Sequence, residues 1–333
     1  MKHIEGFVQD SMPSLLRKEE DYWQPSDFTP DMGAPDAFEQ VKAFQEEAEA
    51  LSDDVMVVLI GDTITEEALP TYSSWISQVD GFDRAGEPRN AWGDWLRKWT
   101  AEENRHGDIL HRYLYLSGRI NMREVECTVH NLLADGGDVQ TGVDPYKSFA
   151  YTSFQEAATN FSHKNVAALA RKAGAKHLEQ ICQYVAGDES RHTRAYKLFF
   201  EKCLEVDTSE ALIAFYDIMR NKVTMPAMYM RERGKSIGET FKKFADVAER
   251  TGIYTQTHYI EILESLNRYW NIDKLSGLSS EAAKAQDYLC GLAERYRKII
   301  DRMASRKLDS AVETPHHHFL WLKPFQPPAT LRS

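Results

Sequence analysis

Two short stretches constrain this chain more than any other feature. EENRH (102–106) and DESRH (188–192) each set a glutamate three residues before a histidine, giving the pairs Glu103/His106 and Glu189/His192. On a helix that spacing puts a carboxylate and an imidazole on one face, less than a turn apart. With 11 histidines in the chain, roughly one such pair arises by chance, so the motif alone means little. A third pair, Glu313/His316, has Pro315 inside it and sits in a loop-like tail. The first two lie inside long runs whose apolar residues recur at three and four, the period of an amphipathic helix.

That period dominates the chain, so the expected fold class is all-α. It governs 38–51, 90–118, 123–134, 146–174 and 176–205. Gly118 and Gly174 fall just past two of these runs, where C-terminal caps belong. Asp144-Pro145 opens another with a cap residue and a proline at the first helical position. Val55 to Ile60 has the composition of a strand. It has no partner strand and continues at helical spacing, which predicts a buried helix. Residues 207–306 are helical too and read as cover and support. Residues 12–36, rich in Pro, Asp and Gly, and residues 308–333 read as non-helical. The expected organisation is an N-terminal extended segment (1–36), a single domain (37–306) and a C-terminal tail (307–333).

The pattern of carboxylates and imidazoles points to a ferritin-like four-helix di-iron bundle with additional packing helices. Such a site takes one Glu from each of two helices and Glu-x-x-His from each of the other two. Two ferrous ions carry four positive charges, which four carboxylates neutralise. Two imidazoles complete the coordination and leave positions open for O2. The order along the chain fits: Glu66 or Glu67 precedes the first pair, and Glu156 precedes the second. A ligating imidazole usually donates its other N–H to a carboxylate. Asp188 is placed to do this for His106, or it is a plain surface aspartate. His111, His130, His163, His177 and His258 have no ordered carboxylate partner in the sequence, and the run His316 to His318 reads as solvated.

Several function classes are excluded. The net charge of −11 argues against nucleic acid as a partner. No window approaches the roughly 18 apolar residues of a membrane span. The first residues lack the apolar core of a secretory signal and are too acidic for a transit peptide. A bacterial-type cytoplasm is therefore expected, or a plastid stroma if an import sequence was trimmed. Cys127, Cys182, Cys203 and Cys290 are scattered without a C-x-x-C pair, as free thiols in a reducing compartment would be.

Longer strings carry a family resemblance. GDTITEEALPTY (61–72), WTAEENRHGDILHRYLYLSGR (99–119), YTSFQEAAT (151–159) and GDESRHTRAY (187–196) resemble the soluble acyl-[acyl-carrier-protein] desaturases of plant plastids and some bacteria. YWQPSDFTPD (22–31), MPAMYM (225–230) and DKLSGLSSEAAKAQDYLC (273–290) extend the match over roughly residues 20–300. The resemblance implies iron ligands at Glu66, Glu103, His106, Glu156, Glu189 and His192, so it selects Glu66 over Glu67. It implies an electron route through Trp23, Asp188 and His106, and places Thr159 where a threonine steers the oxygen chemistry. It implies O2-dependent removal of two vicinal hydrogens from a saturated acyl chain on acyl carrier protein, in unsaturated fatty acid biosynthesis. Ferredoxin is the implied electron donor and a homodimer the implied assembly.

The chain departs from the family where the acyl cavity is expected. Trp75, Gln78 and Val79 follow Glu66 at cavity positions, and Trp75 is bulky for its place. Ser148 stands where the stearoyl-specific plant enzymes have glycine. The 66–103 connection is about one residue shorter. Both implied protein partners are acidic, so a chain of net −11 needs local positive patches to meet them. Candidates are Arg220, Lys222, Arg231, Arg233 and Lys235, and near the C-terminus Arg302, Arg306 and Lys307, each otherwise solvated surface. The rival readings are another di-iron oxygenase, such as an acyl hydroxylase, and a non-catalytic acyl-binding helical scaffold.

Overall fold

The computed structural model describes residues 1–82, 89–308 and 317–323, without the side chains of 304–308. Twelve α-helices run through the described residues, with short 3-10 turns between some of them. They are α1 (Glu5–Leu15), α2 (Ala37–Glu49), α3 (Asp53–Glu66), α4 (Leu69–Ile76), α5 (Ala91–Leu116) and α6 (Met122–Asp135). Then come α7 (Pro145–Ala173), α8 (Lys176–Val206), α9 (Thr208–Arg220), α10 (Glu239–Thr251), α11 (Gln256–Tyr269) and α12 (Ser280–Leu308). The expected all-α class holds, and Val55 to Ile60 lies inside α3, buried throughout.

The helix ends follow their local chemistry. The Asn90 side chain accepts from the Gly93 amide at 2.8 Å and starts α5. Asp144 accepts from the amides of Tyr146 and Lys147 at 2.8 and 3.3 Å, with Pro145 at the first helical position of α7. Each side chain satisfies donors that a helix start leaves without partners. Gly174 takes the left-handed conformation that stops α7.

Helices α3, α5, α8 and α7 pack in a closed cycle, each against the next. Around this bundle, α1 lies on α5 and α8, α10 lies on α3, α9 and α11 cover α7, and α12 packs on α9 and α11. The apolar interior divides into two clusters. One holds Trp92, Trp95 and Trp99 of α5 with Phe149 and Phe154 of α7 and Tyr196 and Phe199 of α8. The other holds Ile109 and Tyr113 of α5 with Val166 of α7, Ile181 and Val185 of α8 and most of α3. Between them, α5 runs through Glu102, Glu103, Arg105 and His106, and α8 through Asp188, Glu189 and His192, all buried. A polar layer therefore cuts the bundle at mid-height.

The first 36 residues are not extended throughout, because Glu5–Leu15 is the helix α1. Apolar residues at Val8, Met12 and Leu15 give α1 a buried stripe, which takes it into the first apolar cluster. The short 3-10 turns Glu19–Asp21 and Pro25–Phe28 follow. Part of the C-terminal tail is also tied down. Trp321 is fully buried with its Nε1 donating to Thr128 Oγ1 at 2.9 Å, and Leu322 bridges to Ile120. Glu313 and His316 lie outside the described residues. His317 pairs with Asp246 at 3.0 Å, while His318 is exposed.

Two glycines set helix spacing near the polar layer. A Cβ on Gly61 of α3 would sit 2.1 Å from the Phe244 ring of α10, an overlap that requires the ring or one helix to move. A Cβ on Gly107 would meet the backbone at Glu66 and Glu67 at 3.3 Å, so its absence lets the end of α3 close on α5. Gly61→Ala is expected to destabilise the fold by about 1–3 kcal/mol. Thermal unfolding checks it, and an unchanged Tm would contradict the packing described.

Candidate metal centre

The polar layer gathers the six sequence-expected ligands. Glu66 is the last residue of α3, Glu156 lies in mid-α7, and the two Glu-x-x-His pairs lie in mid-α5 and mid-α8. All six side chains are buried. They form two groups, Glu66/Glu103/His106/Glu189 and Glu103/Glu156/Glu189/His192, with the ligand atoms of each within 4.8 Å of one another. Glu103 and Glu189 belong to both, so the geometry is that of two adjoining ion sites sharing two carboxylates. Glu67 turns away, its Oε1 2.9 Å from His111 Nδ1.

The donor atoms fit metal ions better than they fit each other. His106 Nδ1, His192 Nδ1, Glu103 Oε1, Glu156 Oε2 and Glu189 Oε1 are buried with no hydrogen-bond partner. Buried polar atoms without partners cost about 1–3 kcal/mol each, so five of them converging on one place need a common partner. They approach as close as 2.6 Å, between His192 Nδ1 and Glu103 Oε1, without forming hydrogen bonds. Two divalent ions would use these lone pairs and balance the four carboxylates.

The other nitrogen of each histidine is held by a carboxylate from the opposite helix. His106 Nε2 lies 3.4 Å from Asp188 Oδ2, and His192 Nε2 lies 2.9 Å from Glu102 Oε2. Hydrogen on Nε2 leaves each Nδ1 lone pair facing the ion site. Asp188 precedes Glu189 and Glu102 precedes Glu103, so each motif supplies ligands and also steadies the histidine of the other. Burial pushes the Asp188 carboxyl up, but the His106 hydrogen bond and the Arg191 guanidinium hold it well below the usual range. Burial also pushes Glu102 up, and His192 and the Arg17 amide outweigh it.

The N-terminal segment joins both arms. Arg17 donates its backbone N–H to Glu102 Oε1 at 2.7 Å and its Nε to Asp188 Oδ1 at 2.6 Å. Trp23 donates Nε1 to Asp188 Oδ2 at 2.9 Å and lies parallel to the His106 ring, centroids 6.1 Å apart. Arg105 covers the outer face of Trp23 at 4.9 Å and reaches Asp188 at 3.3 Å.

Glu102, Arg17, Trp99 and His163 are contributors that the sequence reading missed. Trp99 Nε1 donates to Glu156 Oε1 at 3.0 Å. His163, expected to lack a carboxylate partner, is buried with Nε2 3.0 Å from Glu66 Oε1. Burial raises Glu66, but the neighbouring His106 and His163 imidazoles prevail and hold it below the usual carboxylate range. His111 and His177 also have partners, Glu67 at 2.9 Å and Glu47 at 3.0 Å. These contacts join residues distant in sequence, so local spacing gave no sign of them. One signal in the sequence points to Glu102: both motifs read acid-Glu-x-Arg-His, which puts Glu102 at the place that Asp188 holds in the other.

A groove of about 390 Å³ runs to this centre. Val58, Gly61, Asp62, Thr65 and Glu66 of α3 form one wall, and Gln155, Ala158, Thr159 and Ser162 of α7 another. Its inner end reaches Tyr72, Trp99 and Glu103; Lys222, Glu249, Gln256 and Ile299 are its exposed residues. Thr159 Oγ1 donates to Glu189 Oε2 at 2.5 Å.

The expected cavity residues lie beyond this groove. Trp75 lines a small neighbouring pocket with Tyr72 and Pro226, edge-on to Tyr151 at 5.6 Å. Val79 and Ser148 are buried in packing. Gln78 is exposed, because α4 ends at Ile76 and the Gln78 amide turns back to the Ser74 carbonyl at 3.1 Å.

The expected positive patch is largely neutralised. Arg231 pairs with Asp135, Arg233 with Glu124 and Lys235 with Glu239. Arg220 lies over the Tyr216 ring, and Lys222 stands at the groove. Arg302 is exposed on α12, while the side chains of Arg306 and Lys307 lie outside the described residues.

Fold and site together define a helical-bundle protein with a buried cluster of four carboxylates and two imidazoles that could hold two metal ions. This chain belongs to the fatty acid desaturase family, whose model matches residues 1–323. It is 46% identical over 322 residues to stearoyl-[acyl-carrier-protein] 9-desaturase 1, chloroplastic, of Arabidopsis thaliana, covering 96% of this chain and 80% of that one. It is 46% identical over 302 residues to palmitoyl-[acyl-carrier-protein] 4-desaturase 3, chloroplastic, of Ophrys sphegodes, covering 90% and 75%. The X-ray structure of DesA2 from Mycobacterium tuberculosis H37Rv shares the fold, with a TM-score of 0.52, 17% identity and coverage of 85% of this chain and 97% of that one. Among the described residues, no helix is long and apolar enough to cross a membrane.

Removing either histidine-steadying carboxylate should weaken the centre without unfolding the bundle. Glu102→Ala and Asp188→Ala are each expected to lower metal affinity about 10–100-fold. Cobalt(II) titration followed by visible absorption measures this, and wild-type affinity in both variants would refute the assignment.

Proposed function

We propose that this chain is an acyl-[acyl-carrier-protein] desaturase using two iron ions, O2 and electrons from a ferredoxin. The observation that carries the reading is the groove: an apolar channel that ends on Glu66 and Glu103, at the two-metal centre. The reaction takes two hydrogens from adjacent methylenes, with O2, two electrons and two protons giving an alkene and two waters. Bound iron would supply the power to break these C–H bonds, which no side chain can do unaided.

The chain's own residues do the rest. The groove walls hold a flexible acyl chain so that one methylene pair faces the centre, and keep water out. Thr159 spends its one hydroxyl hydrogen on Glu189 beside the groove, so it orients that carboxylate where oxygen chemistry would occur. Trp23, Asp188 and His106 make a continuous hydrogen-bonded and stacked path from the face carrying exposed Tyr22 to the metal site. We assign this path to electron delivery. We assign Trp75, Val79 and Ser148 to the far end of the acyl site, reached when Tyr72 or Tyr151 shifts on substrate binding.

Product analysis tests the function. Iron-loaded protein with ferredoxin, its reductase, O2 and stearoyl- or palmitoyl-carrier protein is expected to release a monounsaturated acid, read by mass spectrometry. A hydroxylated product, or none from a protein holding two irons and a competent donor, would overturn it. Trp75→Ala is expected to shift preference toward longer chains by opening the blocked end, visible as a changed ratio of C18 to C16 products. Trp23→Leu is expected to slow turnover with ferredoxin at least tenfold. It should leave single turnover of chemically reduced protein near wild type, and equal losses in both assays would reject the electron path.

A further inference from the structure

The proposed function leaves one polar pair in the groove without a duty. Asp62 of α3 and Ser162 of α7 meet side by side in the groove lining, amid mainly apolar surface. Both Asp62 oxygens approach the single Ser162 hydroxyl, at 2.9 and 2.8 Å. A hydroxyl has one hydrogen, whereas an ionised carboxylate offers about four acceptor positions. Among the described residues no other side chain or backbone group donates to this carboxylate. The nearby Thr65 hydroxyl is used on the Gly61 and Asp62 carbonyls of its own helix. Asp62 therefore presents unused acceptor capacity to whatever fills the groove. It lies one helical turn before Glu66, about 6 Å along the axis.

An alkyl chain has no donor to offer. The arm that joins an acyl chain to a carrier protein does, because it is a pantetheine thioester carrying amide N–H groups. We propose that Asp62, steadied by Ser162, accepts an amide N–H of this arm and at the same time turns away free fatty acids, whose carboxylate its charge repels. The pair is thus a specificity device for carrier-bound over free chains, attracting one ligand and opposing the other. The inference rests on the acyl-carrier reading above and assigns its polar arm a place in the groove.

The test uses iron-loaded, anaerobic protein with two probes that share an alkyl chain, dodecanoyl-pantetheine and dodecanoic acid, by calorimetry. Wild-type protein is expected to favour the thioester. Asp62→Leu should weaken thioester binding roughly tenfold to a hundredfold, the worth of one hydrogen bond to a charged acceptor. The same variant should leave the free acid unchanged or tighten it. Asp62→Asn keeps an acceptor and removes the charge, so it should hold most of the thioester affinity while admitting the acid. This second variant also covers the case in which leucine fails to fold. Equal changes for both probes, or none for either, would overturn the inference and leave the desaturase reading intact. Wild-type protein that binds neither probe nor the carrier-bound chain would overturn the acyl-carrier reading itself.

Discussion

Everything in this molecule is arranged around a layer of ionisable groups buried at mid-bundle. Four carboxylates and two imidazoles cannot be placed in a low-dielectric interior unless their charges are balanced and their lone pairs used. The bundle meets that demand with regular helices, which satisfy their own backbone and leave side chains alone to settle the account of charge. Apolar clusters above and below the layer supply the stability that the layer does not. They also clamp four helices in register, which keeps ligands from four separate segments in one place.

The two helical motifs act on each other. Each acid that precedes a ligating glutamate crosses to the histidine of the other motif, so neither half of the site is oriented without its counterpart. The N-terminal segment locks the pair together, because Arg17 touches both acids and Trp23 one of them. This explains why a stretch that looks peripheral in the sequence is packed against α5 and α8. A surface route to the metals and the rigidity of the histidines depend on the same contacts.

The groove follows from the same bundle. One face of α3 and one of α7 carry small or apolar residues beside their ligands, and α10 closes over them through the contact of Phe244 with the Gly61 backbone. The result is a mainly apolar passage that reaches Glu66 and Glu103 and is not lined by Trp23, so acyl chain and electrons would arrive separately. Polar atoms are few along it, which is why Asp62 and Ser162 stand out as a place where a ligand's polar part can be held.

The sequence alone determined the architecture and most of the candidate ligands, because these are written in local spacing, while the choice of Glu66 over Glu67 came from the family resemblance. A glutamate and a histidine at i and i+3 share a helix face whatever surrounds them, and apolar residues at three and four predict the helices that carry them. The burial of Val55 to Ile60 within a helix was legible for the same reason. The tertiary structure decided the rest. Glu102, His163 and Trp99 acquire their roles only when segments tens of residues apart come together. The proposed basic patch lost most of its free charge to Asp135, Glu124 and Glu239, two of which lie on α6. The helical first segment was hidden by the prolines and acids around it, since its stability comes from packing on α5 and α8. Long-range contacts of this kind leave no period in a sequence, because each depends on how whole helices approach and not on the spacing within one.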